Sequence, residues 1–339
     1  MSFQTKEVIV LDYQKSWQDD FLKLKTYLLD ILKGFQVSIE HVGSTSVFGL
    51  ASKPVIDCDI VIDRDDFFKI EEVLVDHCFV NRGDLGILDR YAFLGPDLGF
   101  KYHLYITFKD ALSYHNHLYL RNWLRQNDHD RLRYEALKKE LANKYRYDID
   151  AYIDGKTEFI QDIYQKAKSS IYLEKAEIQD LDRLEAINLS YHEVFDHNGA
   201  LSEPHFIKTC FIEGDLPPIE GATKDHFDLI SIKDYLGQAV GFVMGYRGYP
   251  TEDTYWISLM VIDSNLRGHG YGMKTIHLLT HHAQLNQMKR MSLGVSAKNE
   301  KGLKFWKKSG FTKIIRTYTL SEGNPPEPYL FYQLEKEVL

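Results

Sequence analysis

The sequence predicts two mixed α/β domains in one chain, residues 1–168 and 169–339. Three observations carry that expectation. The chain has 339 residues, about twice a common domain size. Strand and helix patterns alternate on both sides of a short polar stretch, Lys-Ala-Lys-Ser-Ser at 166–170, after which Ile171-Tyr172-Leu173 restarts as a strand. Each half also holds a Gly-containing turn directly after an apolar strand, at Gly43-Ser44 and at Gly268, Gly270 and Gly272.

Composition narrows the class. Hydrophobic residues make up 44%, enough for sizeable cores. The net charge of −8 argues against nucleic acid as a partner. Cys58, Cys78 and Cys210 are odd in number and widely spaced, as reduced thiols are, and form neither a disulfide framework nor a zinc pattern. No basic-then-apolar leader opens the sequence, and no run approaches the ~18 apolar residues of a membrane span. The expectation is a soluble cytoplasmic protein with no membrane partner; its oligomeric state is not legible.

In the first half, Trp17, Phe21, Leu24, Leu28 and Ile31 recur at helical spacing, which predicts an amphipathic helix over 13–33 with Gly34 as its stop. A short strand, 37–42, runs into Gly43-Ser44-Thr45-Ser46. The next strand, 54–62, is largely apolar, as a strand covered on both faces would be. Asp57 and Asp59 interrupt it two residues apart, so both carboxylates point to one face. Like charges side by side on a buried strand are costly to keep ionised. A divalent cation would compensate them, and hard oxygen ligands suit Mg²⁺; a strand end facing water is the other reading. Helical patterns follow over 114–126, 130–145 and 149–167, with Arg121, Arg125, Arg131 and Arg133 interleaved with acids as on a solvated face.

The stretch 39–59, Ile-Glu-His-Val-Gly-Ser-Thr-Ser-Val-Phe-Gly-Leu-Ala-Ser-Lys-Pro-Val-Ile-Asp-Cys-Asp, resembles the signature of the GrpB-like family, a branch of the nucleotidyltransferase superfamily, over roughly residues 7–166. The resemblance implies a nucleotidyltransferase-like mixed sheet flanked by helices. It places Gly43 and Ser44 near a nucleotide phosphate, Lys53 beside the same pocket and Asp57 and Asp59 on a metal. His103 matches the first of the family's two strand histidines, and Tyr105 stands at the second. No third carboxylate is readable, which leaves Mg²⁺-dependent nucleotidyl transfer and a nucleotide-sensing or partner-binding role both open.

The second half reads strand, helix, three strands, helix, strand, helix, strand, strand. Asp180 is placed to cap the first helix. Residues 195–227, with Pro204, Pro217 and Pro218, read as irregular. Strands are expected over 229–232, 239–246, 255–262 and 291–295. Three glycines in five residues after the 255–262 strand strip one face of the turn of side chains. The helix that follows, through Ile276, Leu279 and Ala283, adds unpaired amides and its positive dipole end. A ligand-free turn and a phosphate cradle both fit the glycines alone. Asn299 precedes a further helix to Lys308, and Gly310 fits a left-handed helix stop.

The spacing Ile262-x4-Arg267-x2-Gly270-x-Gly272, with the later Asn299-x2-Gly302-x3-Trp306-x3-Gly310-Phe311, is similar to the GNAT acyl-CoA N-acyltransferase pattern over roughly residues 170–337. The resemblance implies a twisted mixed sheet with two central strands splayed around acyl-CoA, acetyl-CoA being the expected donor. The amides of Leu266, Arg267, Gly268, His269, Gly270, Tyr271 and Gly272 would hold the pyrophosphate. Asn299 would meet the pantetheine arm, with the backbone of Met260, Val261 and Ile262 beside it. The implied reaction is acyl transfer to an amine of a small molecule or peptide. Trp306 stands where such enzymes often carry the tyrosine that protonates the leaving thiolate, and an indole N–H is not a useful acid. Tyr271 and Tyr318 are the candidate acids; Glu252, Asp253 or His269 the candidate bases. Glu213, Asp215, Glu220, Asp225 and Asp228 either form an acidic rim for a cationic amine or a plain solvated loop.

Overall fold

A computed structural model describes residues 7–190, 205–322 and 327–338. By contacts the chain divides into two compact units, Met1–Ser169 and Ser170–Leu339.

The first unit runs α1 (Ser16–Ile31), β1 (Ser38–Val42), β2 (Ile56–Ile62), α2 (Phe67–Asp76), β3 (Val80–Asn81), β4 (Arg90–Leu94), β5 (Tyr102–Phe108), α3 (Leu112–Gln126), α4 (Asp128–Lys144), α5 (Ile149–Asp154) and α6 (Thr157–Lys168). Its sheet has the order β1-β2-β5-β4-β3. β2 and β5 are parallel and the remaining pairs antiparallel. The three-four spacing of Trp17, Phe21, Leu24 and Leu28 puts them on one stripe of α1, in a core shared with Cys58, Ile60 and Ile62 of β2. Alternation along β2 leaves Asp57 and Asp59 on its other face.

The helix expected over 149–167 is two helices, broken at Gly155-Lys156. A Cβ at Gly155 would lie 2.6 Å from the Leu141 side chain of α4, so the backbone passes that helix closely. The apolar period continues through the break, and periodicity therefore could not reveal it.

The second unit runs β6 (Ile171–Lys175), α7 (Leu181–Leu189), α8 (Phe206–Glu213), β7 (Phe227–Asp234), β8 (Ala239–Arg247), β9 (Thr254–Ile262), α9 (Tyr271–Leu285), β10 (Arg290–Ser296), α10 (Glu300–Lys308), β11 (Lys313–Glu322) and β12 (Glu327–Glu337). The seven strands are ordered β11-β12-β10-β9-β8-β7-β6. One face packs Ile276, Leu279 and Ala283 of α9 with Tyr255, Ile257, Met291 and Leu293. The other packs Leu184, Ile187 and Ile207 of α7 and α8 with Phe242, Met244 and Val261.

Two expectations change here. The stretch read as irregular contains α8, while its residues 195–204 lie outside the described residues. Asp180 stands at the N-cap of α7 as expected but makes no side-chain cap bond there; its carboxylate accepts the Glu177 N–H at 3.0 Å, closing a capping box one turn earlier, and pairs with Lys233 at 3.0 Å.

The sheet opens where the site lies. β9 and β10 pair in parallel only over Thr254–Ile257 and Arg290–Leu293. Ser258 is the extra residue of a bulge, because Gly245 faces Ile257 and Met244 faces Leu259. Beyond that point β9 stays with β8 and β10 with β12, and the two strands part.

Candidate functional site

β9 delivers Ile262 to a turn that Asp263 organises. The Asp263 carboxylate accepts the Asn265 N–H at 2.9 Å and the Arg183 guanidinium at 2.5 Å, while its own N–H donates to the Val240 carbonyl at 2.9 Å. Burial pushes this carboxyl up, but the Asn265 amide and Arg183 outweigh it and hold it below the usual range. Sequence reading missed Asp263; an Asp between a strand end and a polar turn was the available signal.

Gly268 and Gly270 follow with φ of 85° and 80°, a conformation that favours glycine, and a Cβ on either would point into open space. The α9 ladder begins with Lys274 N–H donating to the Gly270 carbonyl at 3.2 Å, so the amides of the turn stand ahead of it. A Cβ on Gly272 would meet Phe305 at 3.0 Å; glycine there lets α10 approach. Between them lies a cavity of about 490 Å³ lined by Met260, Val261, Ile262, Leu266, Arg267, Gly268, Gly270, Tyr271, Gly272, Asn299 and Trp306, among others. His269 is not in the lining; its Nδ1 turns back onto the Leu266 and Arg267 carbonyls at 3.1 and 3.2 Å. Asn299 also caps α10, accepting the Gly302 N–H at 2.8 Å. Trp306 packs edge-on against Phe305 and Phe311 and forms an aromatic wall.

The catalytic candidates separate. Tyr271 lines the cavity. Tyr318 does not: it lies on β11 with its ring 5.1 Å from that of Phe331, and burial raises its phenol. Glu252 is exposed in the turn before β9, at the opposite end of that strand from the glycines. Asp253 ties strand starts together, its carboxylate meeting Arg290 at 3.1 Å and its carbonyl accepting the Lys289 and Arg290 amides. Asp228 faces His282 at 3.2 Å and Arg247 at 3.5 Å, while Glu213, Glu220 and Asp225 are exposed, so these acids form no single rim.

In the first unit, Gly43 has φ 69° and a Cβ there would lie 2.2 Å from Asp57 Oδ2, so only glycine fits beside that carboxylate. His103 Nδ1–H donates to Asp57 at 2.9 Å, and His117 Nδ1–H on α3 donates to Asp59 at 2.7 Å. Tyr105 lies between the two imidazoles, with the Arg90 guanidinium 4.4 Å over its ring. Burial pushes the Asp57 carboxyl up, but His103, His117 and Lys53 outweigh it and lower it. Burial likewise pulls the His117 imidazole down, and Asp59 more than reverses this. Sequence reading missed His117, which reaches the strand from a helix 58 positions away.

The Mg²⁺ expectation at Asp57 and Asp59 gains no support from this arrangement. Each carboxylate is turned onto an imidazole, and among the described residues no group of three or more His, Cys, Asp or Glu converges as a metal cage.

The splayed sheet, the glycine turn and the cavity define an acyltransferase-type domain, joined to a mixed-sheet domain with an Asp–His centre. The GrpB protein family matches residues 7–166, and the GNAT acetyltransferase family matches residues 193–311. A UPF0157 protein of Streptomyces coelicolor is 32% identical over 161 residues, 48% of this chain and 84% of that protein. The conserved protein GrpB from Enterococcus faecalis is 31% identical over 47% of this chain and 96% of its own, with a TM-score of 0.42. An N-acetyltransferase from Staphylococcus aureus Mu50 is 18% identical over 50% of this chain and 99% of its own, with a TM-score of 0.38. The chain belongs to the GrpB family through its first half and carries a GNAT acetyltransferase domain in its second. Acyl transfer is thus the reaction class of the second half. Among the described residues no helix is long and apolar enough to cross a membrane.

Proposed function

We propose that residues 170–339 transfer an acyl group, acetyl being the expected one, from acyl-CoA to an amine. The observation that supports this most is the glycine turn, which opens on the cavity at the parting of β9 and β10. The amides from Leu266 to Gly272 and the Arg267 charge suit a pyrophosphate. The backbone edge at Val261 and Ile262, with Asn299 and Trp306 opposite, suits the pantetheine arm. When bound, acyl-CoA supplies the thioester carbonyl. The neutral amine attacks it, loses a proton, and the thiolate leaves and is protonated. Among the described residues the cavity lining contains no carboxylate or imidazole. Holding the amine against the thioester supplies much of the rate. The test is thermal protection by CoA. Wild type should be protected and Gly270→Val should not, since a valine there is both strained and in the way. Calorimetry showing no CoA binding at millimolar ligand overturns the reading.

A second reading applies to the first half: it binds a phosphorylated nucleotide at Gly43, Ser44, Lys53 and His103. The absence of room for any side chain at Gly43 beside Asp57 favours it. With Asp57 and Asp59 held by imidazoles, a sensing or partner-binding role without turnover suits the site better than metal-dependent transfer. ATP titration without divalent cation tests it, and equal binding by wild type and Asp57→Asn counts against it.

A further inference from the structure

Two histidines on α9 have no part in either half's proposed chemistry. Ile276, Leu279 and Ala283 pack against the sheet of the second unit, which turns the opposite stripe of the helix outward. His277 and His281 lie on that outward stripe, four residues apart, and both are exposed. At that spacing in a helix the Cβ atoms are about 5–6 Å apart, and the side chains lean the same way along the axis. Tyr271–Leu285 is one continuous helix, so the backbone itself fixes the spacing.

Elsewhere the imidazoles are tied down. His77, His103, His115, His117, His269 and His282 each set a ring nitrogen on a protein oxygen. Among the described residues neither His277 nor His281 has a hydrogen bond, an ion pair or a ring contact. The flanking ammonium groups are committed to other partners. Lys274 Nζ stands 5.9 Å over the Tyr271 ring, toward the helix start, and Lys336 Nζ donates to the Thr280 hydroxyl at 3.1 Å. No carboxylate, thiol or third imidazole joins the pair among the described residues. What the stripe presents is two nitrogen donors at a fixed separation, open to water.

We propose that His277 and His281 form a two-point clamp for a divalent transition metal ion that prefers nitrogen, such as Cu²⁺ or Zn²⁺. Imidazole suits these ions, and affinity should run higher for Cu²⁺ than for Zn²⁺. Two protein donors are not a closed cage, and water fills the remaining positions, as at an open zinc site. Mg²⁺ does not fit, because it takes oxygen ligands and gives up its water reluctantly. The ion bridges two successive turns of the helix whose first turn opens on the cavity. In the unfolded chain nothing holds the two rings at that spacing, so the ion stabilises the folded second unit. The clamp rests on no feature of the acyl-CoA reading.

The test is calorimetric titration of the tag-free, full-length chain with Cu²⁺, with Zn²⁺ and Mg²⁺ in parallel arms, beside thermal melts with and without Zn²⁺. Wild type should bind Cu²⁺ tightest, Zn²⁺ more weakly and Mg²⁺ not at all. Zn²⁺ should raise the melting temperature, and EDTA should reverse the rise. His277→Ala and His281→Ala should each weaken the tightest Cu²⁺ step about tenfold or more, as loss of one of two ligands does. The double variant should lose both that step and the Zn²⁺ melt shift. His77→Ala, whose Nδ1 already meets the Val73 carbonyl at 2.8 Å, should bind as wild type. Free of metal, the α9 variants should melt as wild type does, since neither ring has a partner to lose, and this separates a ligand role from a structural one. Cu²⁺ binding of wild-type strength in the double variant puts the ion elsewhere and overturns the clamp, as does no binding at millimolar metal. A Mg²⁺ response equal to that of Zn²⁺ overturns the nitrogen-donor chemistry.

Discussion

Asp59 is fully buried, and only one of its oxygens has a hydrogen-bond partner among the described residues, the His117 Nδ1–H at 2.7 Å. The sequence showed the carboxylate and its face, yet not the imidazole that answers it. His117 is raised in the folded state, so its contribution is fully present below about 6.5, its ordinary value, and is lost as pH rises through the folded one. Urea melts of His117→Asn should therefore show the largest deficit against wild type below that pH, narrowing above it. A deficit that grew with pH would contradict the pairing. Asp263 has the opposite sign. Its folded value is lowered, so its contribution is present above the ordinary carboxylate range and lost as pH falls through the folded one. Asp263→Ala should cost about 1–3 kcal/mol at neutral pH through unmade hydrogen bonds, and should weaken CoA binding because the turn loses its organiser. A variant with wild-type stability and CoA affinity would remove Asp263 from that role.

At the scale of elements, the apolar periods located most helices and strands because a stripe or an alternation is a local property of the chain. They did not show the parting of β9 from β10, which depends on which neighbour each strand keeps, or the Ser258 bulge. They also missed the Gly155 break, where the cause is contact with Leu141. The β8–β9 pair is close enough to be tested by one methyl group. A Cβ at Gly241 would lie 2.4 Å from the Val261 carbonyl, a backbone atom beside the cavity. Gly241→Ala should destabilise the second domain by about 1–3 kcal/mol, as overpacking does, and reduce CoA affinity in the same protein. Thermal melts and calorimetry on that variant check both, and an unchanged melt would show that the strands can part without loss.

Across the whole molecule, each unit has apolar clusters of its own. Residues 170–339 expressed alone should fold and bind CoA within about twofold of the full chain, as separate cores allow. Circular dichroism and calorimetry on that fragment decide it; a fragment that is unfolded, or folded but unable to bind, would mean the second half depends on the first.

What the residues determined unaided was the pair of α/β domains, the glycine turn after β9 and the shared face of Asp57 and Asp59. All of these follow from spacing along a strand or helix, or from a contiguous motif. Tertiary structure decided the rest: that imidazoles meet both carboxylates, and that Tyr271 reaches the cavity while Tyr318 and Glu252 do not. Those meetings join residues tens of positions apart, and their energies depend on burial and on opposing charge, neither of which a local pattern encodes.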